Sequence, residues 1–147
     1  VSLKSTLRDD MKQAMRSGDK ARLGVVRMAL AAIQQREVDD RVELDDAGVL
    51  GVLEKMIKQR RESLEQYRAG GRQDLADQES FEIETLSAYL PEPLGETELA
   101  ALVDAVIAET GAASMRDMGK VMAELRSRAQ GRADMAALSA QVKSRLG

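Results

Sequence analysis

The chain has 147 residues, with 22 Lys and Arg against 25 Asp and Glu for a net charge of −3, and it contains neither His nor Cys. Those two absences exclude disulfides, thiolate metal sites, Cys nucleophiles, Ser-His-Asp triads and the commonest neutral general base. Only 2% of the residues are aromatic and there are two prolines, while Ala, Leu, Glu, Arg, Lys, Gln and Met dominate, a composition that predicts an all-α protein.

Leu3, Leu7, Met11 and Met15 recur every fourth residue and end at Gly18, which predicts a first helix closed by a glycine cap. Asp19 then caps a second helix through Leu23, Val26, Leu30 and Ile33 to about Val38, and the polar run 39–46 reads as a loop. Asp46 is expected to cap a long third helix with Leu50, Leu53, Ile57, Leu64 and Tyr67 on one seam, closed by Gly70-Gly71. A fourth helix carries Leu75, Ile83, Leu86 and Leu90 to Pro91-Glu92-Pro93.

Pro-x-Pro marks a domain boundary, so residues 1–90 are expected to form an N-terminal subdomain of about four helices and residues 91–147 a C-terminal subdomain of three. The latter begins at Glu96 and runs to a stop at Gly111, with Leu99, Leu102, Val103, Val106 and Ile107 inward. Ser114-Met115-Arg116-Asp117 fits a capping box, followed by an inward stripe of Met115, Met118, Met122 and Leu125. Asp134 caps the last helix, which carries Met135, Leu138, Val142 and Leu146.

Charge is segregated along the tail. Residues 91–110 hold five acids and no base, whereas residues 111–147 hold seven bases and three acids. Gly119 stands within a helix, where it costs roughly 1 kcal/mol against Ala; close helix packing or approach of a ligand would compensate. Lys120, Arg126, Arg128, Arg132, Lys143 and Arg145 point mainly away from the Met/Leu stripe. Gly119, Lys120, Arg126, Arg132 and Lys143 are therefore the candidate nucleic-acid-binding residues, with Arg132 and nearby N–H groups at the turn before the last helix open to an anion. An ordinary solvated face is the competing reading. On the first helix Lys4, Arg8, Lys12 and Arg16 share a drifting face opposite the apolar stripe and read as a solvent face.

With so few aromatic rings, stacking on single strands is disfavoured, so any RNA partner would be structured and held by phosphate, ribose and shape. Paired carboxylates such as Asp39/Asp40 and Asp45/Asp46 lack a partner base or nucleophile, so no catalytic residue is assigned. No cofactor and no metal are expected. No run approaches 18 apolar residues and the start, Val1-Ser2-Leu3-Lys4, carries no signal-type apolar core, so a cytoplasmic protein without a membrane partner is expected.

Arg60 falls on the apolar seam of the third helix, and Glu79 and Glu82 interrupt that of the fourth. An antiparallel hairpin turning at Gly70-Gly71 brings Arg60 opposite residue 81. A partly shielded ion pair with Glu79 or Glu82 is expected to set the hairpin register, and Arg suits it because its planar fork can engage a carboxylate with two hydrogen bonds; the competing reading has Arg60 reach the surface and serve an RNA patch.

Several ordered motifs resemble the GatB/YqeY family, in particular its YqeY-like proteins: Asp19-Lys20-Ala21-Arg22-Leu23, Lys58-Gln59-Arg60-Arg61-Glu62-Ser63, Gly71-Arg72-Gln73-Asp74-Leu75-Ala76, Tyr89-Leu90-Pro91, Asp117-Met118-Gly119-Lys120-Val121-Met122 and Gly131-Arg132-Ala133-Asp134. Gly95 departs from the Ser frequent there and implies a weaker helix cap. The resemblance implies a two-part helical protein whose C-terminal part is similar to the tail domain of the GatB subunit of tRNA-dependent amidotransferase, a domain that contacts tRNA. It thus implies a tRNA-associated, non-catalytic module, with an aminoacyl-tRNA synthetase or amidotransferase complex as a further partner. The family's carbon–nitrogen ligase label, with glutamine as amide donor, belongs to catalytic domains that a shared tail does not carry. The alternatives are a component of amide transfer, with carbon–nitrogen ligase activity using glutamine as amide donor, and a protein-binding helical adaptor.

Overall fold

The computed structural model describes residues 2–147. Among them are seven α-helices and one 3₁₀ turn, and no strand: α1 (Leu3–Ser17), α2 (Lys20–Asp40), α3 (Asp46–Ala69), α4 (Gln73–Ser87), α5 (Glu96–Thr110), the 3₁₀ turn Met115–Asp117, α6 (Met118–Ala129) and α7 (Met135–Leu146). No helix is long and apolar enough to cross a membrane. The chain divides into two compact units, the first ending at Leu90 and the second starting at Pro91.

In the first unit the helix ends follow from capping. Ser2 accepts from the Ser5 N–H and Asp19 from the Arg22 N–H, while Gly18 closes α1 in the left-handed region at φ 74°. This conformation is inexpensive for glycine and awkward for residues with a Cβ. Three expected boundaries move, and the first is the end of α4, at Ser87 rather than Leu90. Helix α2 runs on to Asp40 and ends on Arg41, itself left-handed at φ 55°, because Gln35 and Arg36 bond Asp39 and Asp40 one turn on. The cap of α3 is Asp45, which accepts from the Gly48 N–H, while Asp46 accepts from the Leu3 N–H at 2.9 Å and so helps to cap α1.

The core of this unit gathers Leu7, Val25, Val26, Ala29, Ile33, Val49, Val52, Leu53, Met56, Ile57 and Leu86. On α1 the stripe drifts, because 3.6 residues per turn is less than four: Leu7 and Ala14 are buried, whereas Met15 is exposed. The same drift buries Lys4, expected on a solvent face. Its ammonium donates to Glu37 at 2.7 Å and lies 3.7 Å from Glu43. Arg8, Lys12 and Arg16 remain exposed.

The second unit packs α5, α6 and α7 around Val103, Val106, Val121, Met122, Leu125, Ala129, Leu138 and Val142. Gly111 closes α5 at φ 68°. Gly95 stands at the N-cap of α5 without a side-chain bond, and the capping box of Ser114 and Asp117 is formed. Met115, expected inward, is exposed, because it lies in the 3₁₀ turn ahead of α6 and out of phase with its stripe.

Candidate functional site

The charge segregation of the tail is resolved within the second unit. Arg128 of α6 pairs with Glu109 of α5 and with Glu124 one turn back. Arg145 of α7 pairs with Asp104 of α5 and bonds the Gln141 carbonyl. Arg132 lies 3.9 Å from Glu98. The acid-only helix thus faces much of the basic block that follows it, and the basic block is not a free cationic surface. The Arg128 guanidinium holds Glu109 below the usual carboxylate range.

The candidate residues separate into two groups. Arg132 is a clamp: its Nε donates to the Glu92 carbonyl at 2.9 Å, and its own carbonyl accepts from the Leu94 N–H at 2.8 Å. Its backbone N–H goes to Ala129 O, so it does not stand open to an anion as expected. The turn exists because Gly131 takes φ 75°, which ties the α6–α7 connection to the segment before α5. Lys120 is exposed, and its ammonium donates to Thr110 O at 3.1 Å. A cation at the C-terminal end of α5 is favoured by the helix dipole, and two of the three ammonium donors stay available.

Arg126 and Lys143 are exposed, and no side-chain partner holds either among the described residues. Arg116 in the 3₁₀ turn is likewise exposed and unheld; sequence reasoning passed over it because it sits inside the capping box. Gly119 is exposed, and a Cβ placed on it would meet nothing within 4 Å. Close packing within the unit therefore does not account for this glycine. Gly119, Ala123 and Arg126 follow one another at spacings of four and three, which places them along one side of α6; Arg116 precedes them in the 3₁₀ turn, and all four are exposed. The result is a low strip of α6 backbone with the unheld guanidinium of Arg126 on it and that of Arg116 in the turn that leads into it.

In the first unit Arg60 Nε donates to Glu82 at 3.0 Å, with both side chains largely shielded. The expected pair is therefore with Glu82, through Nε alone: Nη1 turns back to the Met56 carbonyl at 3.2 Å, and Gln78 approaches the other Glu82 oxygen at 3.4 Å. Glu79 is not bonded to Arg60. Burial, and then repulsion from Glu82, push its carboxyl above the usual range. Among the described residues no group of three or more acids is placed to hold a metal ion.

The chain is all-helical among its described residues and divides into two units, the second with three α-helices and a Gly-Lys step opening the middle one. The family model for Yqey-like protein matches residues 4–146, and the chain belongs to that family. Among curated proteins it is similar to the fungal "Altered inheritance of mitochondria protein 41, mitochondrial". The Eremothecium gossypii protein is 36% identical over 107 residues, covering 70% of this chain and 58% of that one. The Candida glabrata protein is 34% identical over 89 residues, covering 59% and 49%, and the Pyrenophora tritici-repentis protein 31% over 129 residues, covering 86% and 71%. The chain thus spans about half the length of the first two.

Proposed function

We propose that this YqeY-like protein is a non-catalytic RNA-binding module whose second unit holds structured RNA, tRNA foremost, by its phosphates. The observation that carries the reading is the exposed strip Arg116-Gly119-Ala123-Arg126: a glycine that nothing in its own unit requires, between two guanidinium groups that nothing in the described chain engages. Small residues let a sugar–phosphate backbone come close, and arginine forks suit phosphate oxygens. Lys120 and Lys143 add exposed ammonium groups. Arg132 serves the module as a clamp rather than as a contact.

The test is a titration of bulk tRNA at several salt concentrations with the wild type, R116A/R126A and E109Q. Each phosphate contact removed lowers the log–log salt slope by about 0.7–0.9, so the double variant binds more weakly with a shallower slope. E109Q removes one of the two carboxylates that hold Arg128, leaving Glu124, and the lost negative charge tightens binding. Unchanged affinity in a folded R116A/R126A protein overturns the assignment, and amide formation on misacylated tRNA by the chain alone overturns the non-catalytic reading. The cytoplasmic location expected from the sequence is part of this proposal. The mitochondrial designation of the fungal relatives supplies the alternative, and cell fractionation decides between them.

A further inference from the structure

We infer that the cleft between α1, the start of α2 and the end of α4 is a binding site for a primary alkylammonium group, the charged end of a small amine or of a lysine side chain. The cleft measures about 450 Å³. Two of the motifs quoted above, Asp19-Lys20-Ala21-Arg22-Leu23 and Tyr89-Leu90-Pro91, are far apart in the chain, yet Asp19, Arg22 and Tyr89 all line it. The RNA reading concerns the other unit and does not use this cleft.

Its hydrogen-bonding capacity is one-sided. The Tyr89 hydroxyl donates to Asp10 Oδ2, and Arg22 Nη2 lies 3.5 Å from the same oxygen. Burial, reinforced by the neighbouring Asp10, pushes the phenol up to about 12, so Tyr89 stays a donor that is already committed. Thr85 donates to the Phe81 carbonyl and Thr6 to the Ser2 carbonyl. Asp19 Oδ1 accepts from the Arg22 N–H. The hydroxyl donors are thus spent, whereas Asp10 Oδ1, Asp19 Oδ2 and the threonine lone pairs remain as acceptors. Among the lining side chains only Arg22 still offers N–H groups, and Asp10 offsets its charge, so Asp19 carries the excess formal charge at the capped start of α2.

A second observation points the same way. The last turn of α4 contains no basic residue, and Thr85 of that turn borders the cleft together with Tyr89 just beyond it. The carbonyl end of a helix favours a cation, and α4 carries none of its own there. Phe81 and Tyr89 add aromatic rings that suit an ammonium group.

The experiment is a nitrogen-15 amide NMR titration with 1,5-diaminopentane, Nα-acetyl-lysine amide and, as the uncharged control, 1,5-pentanediol. The amides of Thr6, Asp10, Asp19, Arg22, Thr85 and Tyr89 are expected to shift with the amines and not with the diol. Asn caps a helix as well as Asp does, so D19N keeps α2 capped while removing the charge, and it weakens binding about tenfold. D134N, the same exchange at the cap of α7, leaves binding unchanged. A response to the diamine assigns a small amine, and a response to the lysine derivative alone assigns a protein side chain; both support the site. Silent cleft amides, shifts confined to the acidic segment 39–46, or equal affinity in a D19N protein with unaltered circular dichroism overturn it.

Discussion

Arg60 of α3 and Glu82 of α4 are joined at 3.0 Å across a helical hairpin, with 16% and 12% of their side chains exposed. The pair sits beside Met56, whose carbonyl takes a second bond from Arg60. Desolvation offsets most of the attraction between such shielded charges, so the pair's contribution is register: a slip of one residue along α4 would carry Glu82 off the seam and leave Arg60 without its carboxylate.

Truncating one partner should therefore be far worse than replacing both. R60A strands Glu82 and is expected to lower unfolding stability by about 3 kcal/mol, whereas R60L/E82L is expected to come within about 1 kcal/mol of the wild type or exceed it. Urea unfolding of the three proteins checks this; equal losses in the single and double variants would show that packing rather than stranded charge sets the effect.

Gly119 offers a prediction with opposite signs in two assays. An Ala side chain there meets open space, so G119A should stabilise the fold by roughly 0.4–1 kcal/mol through helix propensity and a less free unfolded chain. The same methyl group stands where the proposed RNA backbone approaches, so tRNA affinity should fall. A rise in melting temperature without loss of tRNA binding would remove Gly119 from the interface.

Glu37 links α1, α2 and the α2–α3 connection. It accepts from Lys4 at 2.7 Å and from the Leu44 N–H at 2.8 Å, and these bonds, Lys4 first, hold its carboxyl below the usual range. A depressed folded value means that the unfolded chain takes up the proton first as pH falls. Its stabilisation is fully present above the ordinary glutamate value near 4.5 and is lost as pH drops through the lower folded value. E37Q should destabilise the protein at pH 7 and flatten the decline in stability below about pH 4.5. Urea midpoints measured from pH 7 to pH 3 test it, and parallel curves for the two proteins would contradict it.

Local signals in the sequence determined a large share of this fold. The all-helical class, the glycine stops at Gly18 and Gly111 and the aspartate caps at Asp19 and Asp134 were legible because each depends on residues within about one turn. The meeting of Arg60 with the stretch 79–82 follows from a tight turn at Gly70-Gly71, which makes hairpin register nearly a local property.

Only the tertiary structure decided which charges are free. The cross-helix partners of Arg128, Arg145 and Lys4 are Glu109, Asp104 and Glu37, each set by how a different helix turns its face. No spacing rule along one helix contains that information. Burial of Lys4 instead of Met15, the release of Asp46 to the start of α1, and the closing of Asp10, Arg22 and Tyr89 around one cleft have the same origin. Charges and polar groups find partners by distance in space, and packing sets that distance.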